Sequence, residues 1–389
     1  MRLPGVSLIE GTFEPHHMRF KYELNDFLKE NSVQIEAAQK LDTFPRSLYK
    51  KFAEAGFLGL NFPVSLGGRG LDTTCCVILI EEVAKISSSI AGIITTAGIT
   101  GPYLILREGS EEQRKKYLPL VCKGELIVSF AITEPNAGSD VTYLSTYAAK
   151  DGDFYIINGT KTFITHAPIA DLFLITARTG ERRGQCTVFI VEKNTPGLSV
   201  SEKMKKLGWW CQETGEVYLS EVKVHKSQIL GAKDAGLRVP MVSINLTRIL
   251  LSATALGLSE RILRNALINV VQSSPKSVLR KQFVRASLSR LISEWVAVRA
   301  LLYKIAHAVD KGTVTRAETS ILKLLATELA KKITQECLWM FGYASVDKFS
   351  DFSICYLDAP VFTIADGTSE IQLENVAREL GLLEKLGQT

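Results

Sequence analysis

LIVSFAITEPNAGSD, residues 126–140, is where the pattern of the chain changes. The run Leu126–Ile132 is β-branched, aromatic and short, which suits a strand, and Thr133 to Ser139 close it with turn-forming residues. Upstream the apolar spacing is helical: Phe20, Leu24, Phe27 and Leu28 form one stripe, and Leu48, Phe52, Phe57 and Leu58 another. FPVSLGGRGLD, residues 62–72, interrupts with a proline and three glycines that lack G-x-G-x-x-G spacing, so it reads as a loop. Ile78 to Ala97 then predicts one long, buried helix. Downstream come further strand-like runs at 154–157, 160–165, 171–178, 186–193 and 215–224, and Asn158-Gly159 predicts a two-residue hairpin between the first two. Past Gly231 the helical period returns in stripes over 238–271, 277–310, 314–341 and 369–386. The expected fold class is α+β: an N-terminal helical domain (1–123), a central antiparallel β domain (124–232) and a C-terminal four-helix bundle (233–389).

Composition supports a fully folded chain of 389 residues, 46% hydrophobic and 22% charged. The seven cysteines are odd in number and contain no C-x-x-C pair, which predicts free thiols in a reducing compartment and no metal site. Apolar stretches such as Ile249 to Leu256 are too short to span a bilayer, so no membrane insertion is expected. The first residues, MRLPGVSLIEGTFEPHH, lack an apolar leader core, and the expected address is cytoplasmic. A net charge of +5 without a Lys/Arg block argues against nucleic acid and suits an anionic small molecule.

No H-E-x-x-H, G-x-S-x-G, Walker loop or dinucleotide fingerprint is present. The histidines are mostly isolated, and His16-His17 reads as a surface or capping pair in a mobile arm. The chemistry concentrates in two places. In FAITEPNAGSD, residues 130–140, hydroxyls, an amide and unblocked backbone N–H groups share one turn, which makes either a binding loop or an ordinary polar turn. In ADGTSEIQLENVAREL, residues 365–380, Ser369 with Gln372 fits a capping box, so a helix should start near 369 or 370. Asp366 just before it is a second cap or a working base, and Gly367 permits close approach of a flat group.

With both segments in place, the chain resembles the acyl-CoA dehydrogenase family over nearly its full length. FAITEPNAGSD is similar to that family's flavin loop, FYIINGTKTFIT to its next element, and ADGTSEIQLENVAREL to its C-terminal signature. LNFPVSLGGRGLD, EEQRKKYLPLVCKGE and LTRILLSATALGL are weaker echoes. The resemblance implies FAD, contacted by Phe130, Ile132, Thr133, Gly138 and Ser139, by Phe163, Ile164 and Thr165, and from the bundle by Thr368 and Glu370. Ser139, Arg248 and Gly367 would border the substrate. Asp366 would remove the α proton of an acyl thioester while the β hydride moves to flavin N5, with Arg248 beside it. The implied partners are an acyl-CoA or acyl-carrier-protein thioester, an electron-transfer flavoprotein or other acceptor, and three further copies in a homotetramer.

The sequence also departs from the family pattern. Asp366 stands where most members have glutamate, and withdraws the carboxylate by about 1.5 Å. That points to a branched or cyclic acyl group, or to another acid such as a nitroalkane. Nitroalkane oxidases pair such an aspartate with an arginine seven residues on, where this chain has Leu373. An ungapped count places Val271 and Ser274 where family members send an arginine and a phenylalanine to the neighbouring FAD, with Lys276, Arg280 and Lys281 nearby. Trp339 and Tyr343 replace two flavin-contacting positions. The alternatives are a flavoenzyme oxidising a nitrogen compound, of nitroalkane oxidase or N-hydroxylase type, and a non-catalytic binding protein that keeps the fold. Glu213 and Glu370 are the alternative bases.

Overall fold

The computed structural model describes residues 3–274 and 276–382. Seven helices come first: α1 Val6–Glu10, α2 Pro15–Ala38, α3 Arg46–Glu54, α4 Thr73–Ala84, α5 Ser88–Ile93, α6 Gly101–Glu108 and α7 Glu111–Cys122. The expected continuous helix over 78–97 is broken. Lys85 to Ser87 end α4, and Ser87 caps α5 by accepting the Ile90 N–H. A π-helical turn, Ile94–Thr100, then joins α5 to α6. The run Ser88–Glu108 is long and apolar enough to cross a membrane, which the expectation from short apolar stretches overlooked, but 83% of its apolar window is buried within the fold.

His16 and His17 are not in a mobile arm. They open α2, where His17 completes a capping box with Glu14, and both Nε2 atoms lie 2.7–2.8 Å from Asp72 Oδ2. Cys75 brings a fourth candidate ligand atom within 4.8 Å. His17 Nδ1, however, accepts the Glu14 N–H at 3.0 Å, so its proton sits on Nε2 and is donated to Asp72. The cluster is arranged as a tie between α2 and the start of α4. All seven cysteines are buried and free.

Eight strands follow: β1 Val128–Ala131, β2 Tyr147–Asp151, β3 Phe154–Thr165, β4 Leu172–Arg178, β5 Cys186–Glu192, β6 Leu198–Val200, β7 Thr214–His225 and β8 Ile229–Leu230. They form one sheet in the order β6-β7-β3-β2-β4-β5-β8, mostly antiparallel, with β1 and one end of β2 parallel to β4. The expected hairpin at Asn158-Gly159 does not exist. Both residues sit inside β3, which pairs with β7 from end to end, and they mark a bulge where Asn158 exchanges hydrogen bonds with Glu221. Gly159 is needed there because a Cβ would lie 2.4 Å from Thr146 Oγ1. The chain reverses instead at Gly152, φ 58°, between β2 and β3.

The C-terminal part comprises α8 Ile244–Gln272, α9 Gln282–Asp310, α10 Arg316–Phe341, α11 Asp351–Phe362 and α12 Ser369–Glu379. Four of these match the expected stripes. The fifth, α11, does not, because DFSICYLDAPVF is buried on most sides and shows no helical alternation. Residues 383–386 of the last stripe lie outside the described residues. The two helical parts are joined in the core by Glu81 of α4, whose carboxylate accepts from Arg299 at 2.6 and 2.8 Å and from Tyr303 at 2.6 Å, both on α9. Asp358 of α11 links three parts: its carboxylate accepts from Ser88 and from the Trp209 N–H, and its carbonyl from the Trp209 indole.

Candidate active site

The loop after β1 is held rigidly from beneath. Glu134 is buried, and its carboxylate accepts the N–H groups of Ser145 and Thr146 at 2.5 and 3.1 Å and the Lys161 ammonium at 2.7 Å. Lys161, fully buried on β3, also donates to the Ile132 carbonyl at 3.1 Å, and the Thr162 N–H donates to Thr133. Burial raises the Glu134 carboxyl, but Lys161 and the N–H donors outweigh it and hold the group below its usual range. Burial pushes Lys161 down to about 8, against the attraction of Glu134.

This anchorage leaves the outer part of the loop uncommitted. Thr133, Asn136 and Ser139 make no side-chain hydrogen bond with a described residue, and the space around Gly138 is open. Beside the loop, β3 bulges at Phe163, which takes φ 56° and leaves its ring 67% exposed. A left-handed phenylalanine is strained, by roughly 1–3 kcal/mol, and exposure returns no packing energy within the chain. Free hydroxyls, backbone N–H groups and a bare aromatic face suit a flat, polar-edged ring system such as an isoalloxazine. Ile132 and Ile164 are buried behind this surface, while Phe130 and Thr165 are half-buried.

The second half of the site lies before α12. Thr368, not Ser369, caps that helix by accepting the Ile371 N–H, and Ser369 donates to Glu328 at 2.6 Å. The expected Ser369–Gln372 capping box is absent because Gln372 turns back: its Nε2 donates to the carbonyls of Gly367 and Asp366 at 2.7 and 3.3 Å. With Thr368 as the cap, Asp366 is not one. Asp366 and Gly367 are both left-handed, φ 56° and 92°, and the partly buried Asp366 carboxylate makes no hydrogen bond or ion pair with a described residue. Burial pushes this carboxyl above its usual range, opposed by the charges of Lys323 and then Arg248.

Arg248 on α8 is buried as expected, yet its Nε faces the Asp366 main-chain carbonyl at 3.5 Å rather than the carboxylate, and its Nη1 donates to Ser320 at 3.2 Å. Burial and Arg316 bring its guanidinium down to about 10, with Asp366 opposing. Sequence reasoning missed Lys323 on α10, fully buried, whose Nζ donates to the Gly367 carbonyl at 2.8 Å. Its signal was available: Lys323, Ala326, Thr327 and Ala330 recur at helical spacing on one buried face. Of the other expected residues, Glu370 is exposed, and the alternative base Glu213 already accepts the Phe44 N–H at 3.0 Å. Arg280 folds onto the carbonyls of Val271 and Ser273, which puts a guanidinium beside Val271. Trp339 and Tyr343 are 78% and 93% exposed. A cavity of about 190 Å³ lined by Glu36, Lys85, Arg261, Arg264 and Asp351 contains none of these residues.

Three family models match in succession: acyl-CoA dehydrogenase N-terminal domain over residues 14–125, middle domain over 129–222 and C-terminal domain over 234–381. The chain is 33% identical to a 3-(aryl)acrylate reductase of Clostridium sporogenes, over 95% of this chain and 99% of the relative. Among solved structures, butyryl-CoA dehydrogenase from Megasphaera elsdenii superposes with a TM-score of 0.88 at 27% identity, covering 95% of this chain and 99% of that one. A prolyl acyl carrier protein oxidase superposes with a TM-score of 0.87 at 29% identity, covering 95% and 100%.

Proposed function

The chain belongs to the acyl-CoA dehydrogenase family of flavin-dependent oxidoreductases, and from that premise we propose that it oxidises an acyl thioester at Cα–Cβ with Asp366 as the base. The carrying observation is the Asp366 carboxylate itself, which makes no hydrogen bond or ion pair with a described residue, on a loop whose backbone is clamped. A carboxylate spent on capping or on an ion pair could not take a proton, whereas this one is free to do so. FAD, when bound, supplies the acceptor for the hydride leaving Cβ. Thr133, Gly138, Ser139, Phe163 and Thr165 would hold its ring edge and face, with Thr368 and Glu370 on the bundle side. Arg280 would supply a cation for the pyrophosphate. Asp366 removes the α proton, Arg248 fixes the Asp366 carbonyl, and Ser139 and Gly367 border the thioester.

The short carboxylate favours a substrate whose α-carbon approaches closely or carries a ring or branch, presented by CoA or by a carrier protein. The similarity to an oxidase whose prolyl substrate is cyclic and carrier-bound supports that reading. The nitroalkane alternative gains nothing, since Leu373 is apolar and 56% exposed. An electron-transferring flavoprotein is the proposed acceptor. Asp366→Asn keeps size and removes basicity: it should bind thioester within about twofold yet reduce flavin roughly 10² to 10⁴ times more slowly in stopped flow. Unchanged reduction would refute the assignment.

A further inference from the structure

We infer that Lys323 is the positioning residue of Asp366: from the bundle side it clamps the Gly367 carbonyl and supplies the counter-charge of the carboxylate without touching it. The inference rests on the assignment of Asp366 as the base. Two consecutive left-handed residues turn the Asp366 and Gly367 carbonyls toward the helices, where three buried side chains meet them. Lys323 and Gln372 share the Gly367 oxygen at 2.8 and 2.7 Å, and Gln372 and Arg248 reach the Asp366 oxygen at 3.3 and 3.5 Å.

Lys323 differs from the other buried lysines. Lys161 contacts Glu134, and Lys21 contacts Glu10 and Glu82, each as a close ion pair. Lys323 is as buried as Lys161 but has no carboxylate within ion-pair distance among the described residues. A buried ammonium in that position is costly unless a counter-charge stands near. The charged groups facing it are Asp366, Arg248 from α8, Glu328 on its own helix and Glu370 at the start of α12, with Arg316 behind Arg248. Direct contact would occupy the Asp366 lone pairs and make it a poor base. Anchoring the ammonium on the neighbouring carbonyl keeps the positive field while leaving the carboxylate open.

The sign of the effect follows. Burial brings Lys323 down to about 8, so it is charged at every lower pH. Burial raises Asp366 and Lys323 opposes that rise, so removing the charge moves the Asp366 titration to higher pH. The test uses full-length FAD-loaded enzyme as wild type, D366N, K323M, K323Q and Q372L. Carbon-13 carboxyl NMR of labelled aspartate, with D366N identifying the resonance, reads the titration directly. Stopped-flow flavin reduction against pH reads its consequence.

K323Q should raise the Asp366 midpoint by about one unit, a tenfold loss of reduction rate on the acid limb that disappears at high pH, with thioester Kd within about twofold; K323M should raise the midpoint equally and, lacking a donor for the Gly367 carbonyl, should also lower the rate at every pH. Q372L, which keeps the charge, should lower the rate at every pH with its midpoint unmoved. An unmoved carboxyl midpoint in K323Q, which retains a donor for the Gly367 carbonyl, overturns the inference, as does a uniform loss of rate at all pH in that variant. If D366N still reduces flavin, the base assignment fails, while the carboxyl titration still decides whether Lys323 acts on Asp366.

Discussion

Lys161→Met tests whether the loop over 130–140 is held from below by a single buried ion pair. The substitution nearly preserves volume and removes one charge. Glu134, 4% exposed, would keep two N–H donors and lose the Lys161 cation. Leaving a buried carboxylate uncompensated costs about 3–5 kcal/mol, and the lost bond to Ile132 about 1 kcal/mol more. With an unfolding entropy of about 2.1 cal/mol/K per residue, 389 residues give roughly 0.8 kcal/mol/K, so Tm should fall by about 5–7 °C. The Lys161→Met/Glu134→Gln double variant removes both charges and should recover about half of that loss, because the neutral amide is cheaper to bury. Differential scanning calorimetry of the four corners of the cycle measures it, and hydrogen exchange at Ser145 and Thr146 locates it. Equal destabilisation by the single and double variants, or exchange changes elsewhere with Ser145 and Thr146 still protected, would refute the reasoning.

Three more outcomes follow from the same geometry. The purified protein should carry FAD, and Arg280→Ala should weaken its retention more than Lys276→Ala, measured by flavin fluorescence after gel filtration. Light scattering should show a homotetramer, since Phe283, Trp339, Tyr343 and Phe349 are exposed on or beside the C-terminal helices; a monomer of 42.9 kDa at micromolar concentration would reject it. Asp366→Glu should shift preference toward straight acyl chains in a panel of acyl-CoA substrates, and an unaltered preference would sever side-chain length from substrate shape.

The three-part order was legible because each part has its own period. Phe20, Leu24, Phe27 and Leu28 repeat as a helix, and the strands around 172–192 read as unbroken apolar runs because both faces are buried. Asn158-Gly159 misled because the same dipeptide serves a hairpin and a bulge. Only the partner strand distinguishes them, and β7 lies more than fifty residues away in sequence. Helix α11 was invisible for the opposite reason, having too little polarity to show a period.

The site divides along the same line. The groups left uncommitted among the described residues, Thr133, Asn136, Gly138, Ser139 and Asp366, stood out in the sequence because they are local breaks in pattern, polar or flexible groups where a strand or helix should start. The residues that hold those breaks in place did not, save Arg248, which was reached through the family resemblance alone. Arg248 acts on a carbonyl 118 residues later, Lys323 on one 44 residues later, and Lys161 on a carboxylate 27 residues earlier. Two of the three are lysines, a residue type that composition assigns to solvent. What exposes them is the small side chains around them: Lys323 shares its face with Ala326, Thr327 and Ala330, a stripe too small and apolar to be a solvated surface. A lysine on such a stripe has to find an acceptor inside the protein. In this fold the acceptor is the Gly367 carbonyl, made available because the preceding Asp366 is left-handed and the helix behind it is capped by Thr368 instead. The free carboxylate and the buried lysine are therefore two results of one backbone reversal, and a change that straightens Asp366 should lose both.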